Sequence, residues 1–255
     1  MIFRRLSAHL KAQNWFAVGL DLAVVVVGIY IGLQADAWMS GQRDRDLEQE
    51  YLQRLLVDME ESAIAQQELI TEYEDSIDAM DYLAGRLRDG SFDDPDAEQI
   101  RLAVDALGWV PQPVTSMGTL RELQSTGNIS LIQDVQIRKA IGSQELSYSG
   151  AEFSTSHNLS LMSTTMPVVM PWVYITPVGK IGEYQATLDE VTYGAVLDPS
   201  YERMLADPDA ANTVSWISGW SKYHASIMLQ HHVETLEFRD LLRERIQTQT
   251  SSNAP

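Results

Sequence analysis

Histidines, tryptophans and carboxylates that share a helical face are the groups in this chain whose spacing could support chemistry. His224 and His231 lie seven residues apart, so a helix puts them on one face, with His232 and Glu234 close by. Imidazoles in that arrangement can hold a metal or titrate near neutral pH. A di-metal helical bundle needs Glu-x-x-His on two helices, and a zinc protease needs His-Glu-x-x-His; the sequence has neither. The plainer expectation is a set of helix histidines, at the surface or partly buried. Trp216 and Trp220 form an i,i+4 pair with Tyr223 near them, a stripe expected in a bundle core rather than in a ligand cage. The acids of Asp89–Pro95 resemble a calcium loop only loosely, because Pro95 and the missing alternate-ligand spacing are wrong for one. Nucleophile elbows, phosphate-binding glycine loops and dinucleotide fingerprints are missing. The expectation is therefore no catalytic residue, no cofactor and no metal site.

The elements that position these side chains belong to a chain of 255 residues, 45% of them apolar, which is too hydrophobic for a disordered polymer. Its formal net charge is -18, from 36 acids against 18 bases. That argues against a nucleic-acid partner, which requires a basic surface to release counterions. It also disfavours broad contact with anionic lipid headgroups. The chain has no cysteine, so disulfides and thiolate metal sites are excluded.

Residues 15–33, WFAVGLDLAVVVVGIYIGL, carry one charge, Asp21. The run is close to the length that crosses a bilayer, and its length and flanks favour a membrane helix over the strand its β-branched residues would suit. Trp15 and Trp38 bracket it, about 34 Å apart along a helix axis, as an aromatic pair at the two interfaces. Arg4, Arg5 and Lys11 precede the span without any acid, whereas the residues after it are of mixed sign. The positive-inside rule then places a basic tail (1–14) in the cytoplasm, a span at 15–37 and the remainder outside, which in a bacterium is the periplasm. The rival reading is a signal peptide cut at Ala35-Asp36-Ala37; the apolar stretch is longer than such peptides usually carry. Asp21 reads either as an acid near the inner interface, solvated locally, or as a buried acid paired with a base on another membrane helix. Gly28 and Gly32 form a Gly-x-x-x-Gly pair that lets two helices approach. Asp21, Gly28 and Gly32 are the candidate association residues, with a second copy or another membrane protein as partner besides the lipid bilayer.

Past the span, Leu52, Leu56, Met59, Ala63, Gln66, Ile70, Tyr73, Ile77, Met80, Ala84 and Leu87 alternate steps of four and three, a heptad seam. Only Gly41 interrupts the helix between Trp38 and this seam, so it is expected to run on for about 75 Å. Asp94-Pro95 predicts a cap and first turn for a helix ending near Gly108, and 109–113 an extended linker. Thr115 or Ser116 is the expected cap of a short helix, Gly127 its terminator, and Asp134 the start of a helix reaching about Met166. Prolines 167, 171 and 177 predict an irregular region over 167–199 with a small hairpin. A short helix is expected from Pro199 to Ala206, and a long one from Asp207-Pro208 to about Gln247, before a frayed tail at 251–255. The expected class is all-α: a transmembrane helix, then an antiparallel helical bundle over 38–250 with one irregular loop region.

The pattern Gly19-Leu20-Asp21, the aliphatic run to Leu33, and Gln34-Ala35-Asp36-Ala37-Trp38 resembles the span of the bacterial domain of unknown function 6090 family. A second block, Leu120–Ile132 with Arg138 following, resembles another shared stretch in the same order. Here Asp21 stands where that family usually has Glu, and Asp36 where Asn is common. The resemblance implies a single-pass helical membrane protein, makes an acid at position 21 a shared feature, and supplies no catalytic residues. The functional expectation is a membrane-anchored, extracytoplasmic interaction module of an envelope assembly. The alternative is a sensory or ligand-binding ectodomain that signals through a membrane partner, since a tail of about 14 residues is too short for an output domain.

Overall fold

A computed structural model describes residues 15–93, 95–177 and 195–252. The expected basic tail, Asp94, the middle of the irregular region (178–194) and the end of the chain from 253 lie outside them. The described residues are mostly helical, in two compact units, one ending at Tyr51 and the other Leu52–Pro255.

The first unit holds the start of helix α1, Trp15–Asp89, which continues through Gly41 without a break. From residue 22 to residue 40 every described side chain is exposed, Leu22, Val24 and Leu33 each by more than 60%.

The second unit is built on three long helices: the remainder of α1, α4 (Val135–Val169) and α6 (Ala210–Ser252). Between α1 and α4 come α2 (Ala97–Ala106), α3 (Gly118–Ser125) and a 3-10 turn at Asn128–Leu131. Between α4 and α6 come a 3-10 turn, strands β1 (Val173–Pro177) and β2 (Ala195–Pro199), and α5 (Tyr201–Ala206). Side-chain contacts fix the directions. Glu60 meets Arg243, Gln66 meets Thr235 and Asp81 meets Ser218, so α6 runs antiparallel to α1. Gln144 meets Thr235 and Ser154 meets His224, so α6 is antiparallel to α4 as well. Helices α1 and α4 therefore run the same way, and the chain must travel back between them.

It returns as an extended strap. Trp109 lies edge-on to Tyr73, Thr115 reaches Gln66, and the Ser116 amide donates to Ser62 Oγ. Further along, Asp58 Oδ2 accepts from the Thr119 amide and Arg54 pairs with Glu122. The strap is extended rather than helical because Pro111 and Pro113 cannot continue a helix, and its contacts with Gln66, Ser62 and Asp58 show it descending α1 in the reverse direction. One end of the unit is closed by a core of Met80 and Leu83 of α1, Ile100 of α2, Met162 of α4, Trp172, and Ile217 of α6. The α1 seam faces this interior: each seam position from Met59 to Leu87 is buried.

Several local expectations need correction. Helix α2 is capped by Asp96, whose carboxylate accepts from the Glu98 and Gln99 amides, so it starts two residues later than expected. Neither Thr115 nor Ser116 caps α3; the carboxylate of Asp58 does so from another helix, an electrostatic match to the exposed amides of a helix start. Helix α4 passes through Pro167 to Val169, since a proline near a helix end removes only one hydrogen bond. Pro199 ends a strand rather than starting a helix. Other expectations match: Asp134 caps α4 and accepts from the Gln136 and Ile137 amides, Gly127 sits at φ 75° after α3, and β1 pairs antiparallel with β2 as a hairpin.

Removing the Asp134 carboxylate should cost about 1 kcal/mol, whereas Leu83→Ala should cost about 2–5 kcal/mol, because Leu83 is wholly buried. Denaturant unfolding of the two variants side by side, followed by helical circular dichroism, checks the order.

Candidate functional site

The strap creates the most constrained polar site in the described residues. Extended backbone buried among helices has no ladder to join, so side chains must satisfy its polar groups. The Pro111 carbonyl accepts from His224 Nε2 at 3.2 Å and from Thr155 Oγ1 at 3.3 Å. A carbonyl only accepts, so Nε2 carries the proton and Nδ1 accepts from the Ser154 hydroxyl at 2.8 Å. Two turns along α6, His231 bridges Thr115 Oγ1 at 2.7 Å and Ser147 Oγ at 2.9 Å. Gln66 donates to Thr115 and Thr235, and its carbonyl oxygen accepts from His232 Nδ1 at 3.2 Å. Gln144 donates to Thr235 at 2.9 Å and Thr235 donates to the His231 carbonyl. All three histidines are buried.

This overturns the expectation of surface or partly buried histidines, and the reason is the strap. Helix periodicity shows that His224 and His231 share a face but not that a proline-rich segment will lie against it. Burial holds all three imidazoles below the usual range. For His231 it brings the pKa to about 4, with Glu234 opposing and His232 adding to the effect. For His224 burial outweighs the hydrogen bond to Pro111, and for His232 burial is joined by the charge of Arg239. The imidazoles are neutral hydrogen-bonding parts at neutral pH. Among the described residues no group of three His, Cys, Asp or Glu side chains is arranged to hold a metal.

The tryptophan stripe also differs from expectation. Trp216 is 42% and Tyr223 55% exposed, and Trp220 is half-buried. They lie on the outer side of α6, beside Phe153 and His157 of α4. The core positions of α6 are instead Val214, Ile217, Ser221, His224 and Met228.

In the first unit, Gly28 and Gly32 lie one turn apart in α1, and a Cβ at either would meet nothing within 4 Å. Trp38 is exposed. Trp15 and Asp21 are in the helix, and their side chains lie outside the description. The described residues thus define a mostly helical protein with one helix long and apolar enough to cross a membrane. No family model, curated protein or solved structure matches the chain.

The unfolded chain protonates a histidine near 6.5 and folded His231 only at about 4. The stabilisation from its neutral state is therefore complete above pH 6.5 and lost as pH falls to 4, on the order of 2–3 kcal/mol. Thermal melts between pH 7.5 and 4 should show a falling midpoint, and His231→Gln should be less stable at pH 7.5 with a shallower fall on acidification.

Proposed function

We propose that this is a single-pass protein of a bacterial inner membrane, with its N-terminus in the cytoplasm and its helical domain in the periplasm. The domain is a helical bundle that serves as an interaction module of an envelope assembly. The observation that carries the anchor is the exposure of the apolar run Leu22–Leu33, whose large side chains are each more than half exposed among the described residues. A large aliphatic side chain moved from water to an apolar medium gains roughly 1.5–3 kcal/mol. A run of them left in water is strongly unfavourable, and lipid removes that penalty. The four consecutive valines at 24–27 fit the same reading, because they are indifferent helix formers in water and a bilayer forces the backbone to satisfy itself. Arg4, Arg5 and Lys11 set the orientation.

The two-block likeness to the domain of unknown function 6090 family supports the same layout, and we propose membership on that basis. An interaction role is favoured over a ligand-binding interior because the buried amides, hydroxyls and imidazoles bond chiefly to one another. Asp21 and the Gly28/Gly32 face are the proposed contacts within the membrane, to a second copy or to another span.

Membranes washed in alkaline carbonate should retain the chain, and a tag after Pro255 should be labelled from the periplasm of intact cells. Reversing Arg4, Arg5 and Lys11 to Glu should move a fraction of the tags to the cytoplasmic side. Release by carbonate, or a wild-type tag reporting from the cytosol, refutes the anchor. Gly28→Ile with Gly32→Ile should lower self-association in a two-copy membrane reporter if that face pairs copies.

A further inference from the structure

Helices α4 and α6 meet along a seam that is open on its outer side. Along α4 the seam positions are Ala140, Ser143, Ser147, Gly150 and Ser154, small residues at steps of three and four. Two openings of about 700 and 620 Å³ lie along it, and Gly150 and Ile227 line both, so they form one trough. From Ala140 to His157 it runs about 26 Å along the helix axis, the length of a helix of four to five turns.

Its two halves differ in chemistry. One is walled by Phe153, His157, Trp216, Trp220 and Tyr223, with Trp220 in edge contact with the other two α6 rings and with His157. Phe153 stacks on His157 and is 75% exposed. The other half is lined by Gln230, Glu234 and Glu237, with Leu146 on the α4 side, and no base is among its lining residues. The sequence is unusually free of charge around the aromatic half: α4 has none after Glu152, and between Ala210 and Val233 the one charge is Lys222. That lysine is turned away to Asp81 at 2.5 Å. Exposed aromatic residues with charge depleted around them mark the centre of a protein interface rather than ordinary surface.

Resting on the reading of this domain as an interaction module, we propose that the trough receives an amphipathic helix of a partner protein. Its apolar ridge lies on the small-residue seam and its basic end faces Glu234 and Glu237. A helix laid into a groove between two helices is a recurrent recognition mode, and the glycine and serines of α4 permit the close approach it needs. The occupant is not a second copy, because a copy presents the same acids and carries the same net charge of -18. Nor is it a bilayer surface, since the site is concave and acidic at one end.

The test uses the full chain in phosphatidylcholine nanodiscs. The probe is an 18-residue fluorescent helical peptide with a Leu/Phe ridge and lysines in one terminal turn, alongside its counterpart with glutamates for those lysines, and empty nanodiscs as the blank. The lysine peptide should bind at least tenfold more tightly than the glutamate peptide. Gly150→Leu should weaken it tenfold or more without lowering the melting temperature, because a Cβ at 150 meets nothing within 4 Å. Glu234→Gln with Glu237→Gln should abolish the preference between peptides. Equal binding of both peptides to the wild type, unchanged binding by Gly150→Leu, or a dimer that Gly150→Leu dissociates would each overturn the proposal. Failure of the chain to stay in the nanodisc would count against the membrane anchor and not against the trough.

Discussion

The Pro111 carbonyl and the polar backbone around it are the constraint on which the described domain depends. A chain with α1 and α4 running the same way needs a return path, and here that path is an extended strap buried against α1, α4 and α6. Buried backbone with no helix or sheet to join is costly unless side chains bond to it. His224 and Thr155 supply that for Pro111, and His231 and Gln66 hold Thr115 two turns further along. The interior is therefore divided between an apolar end around Met80, Leu83 and Ile217 and a polar layer of imidazoles, amides and hydroxyls. Such a layer fixes register, because sliding α6 by one turn would leave several of its members unbonded.

Neutral histidine suits this work for a physical reason. It offers one donor and one acceptor on opposite sides of a rigid ring, so it can link a carbonyl on one element to a hydroxyl on another. Both nitrogens of two of the imidazoles are engaged: His224 bridges Pro111 and Ser154, and His231 bridges Thr115 and Ser147. Groups that looked like chemistry by spacing thus act as fasteners.

With the histidines turned inward, the outer side of α6 carries the aromatic residues. Around α6, Trp216 and Tyr223 lie about a third of a turn from the core line of Ile217, Ser221, His224 and Met228, and Trp220 lies about a fifth of a turn from it, on the flank. Exposing such rings carries a solubility cost, and they are the surface on which the proposed partner helix would rest.

Elements whose physics is local can be read directly along the chain. The uncharged run from Leu22 to Leu33, the seam from Leu52 to Leu87, the Asp134 cap and the Gly127 terminator were all legible, whereas of the hairpin only its place within 167–199 could be read, not the strand at Ala195–Pro199. Periodicity, capping chemistry and backbone restriction act within a few residues, so they can be read along the chain. Where the strap would lie, and hence which face of α6 would be covered, depended on contacts between residues more than a hundred positions apart, such as Thr115 with His231. A helix with histidines on one side and tryptophans on the neighbouring side is amphipathic in either sense, and polar side chains can be buried when a partner is there to bond them. Only the tertiary structure supplied that partner, and so only it decided that the histidines go in and the tryptophans stay out.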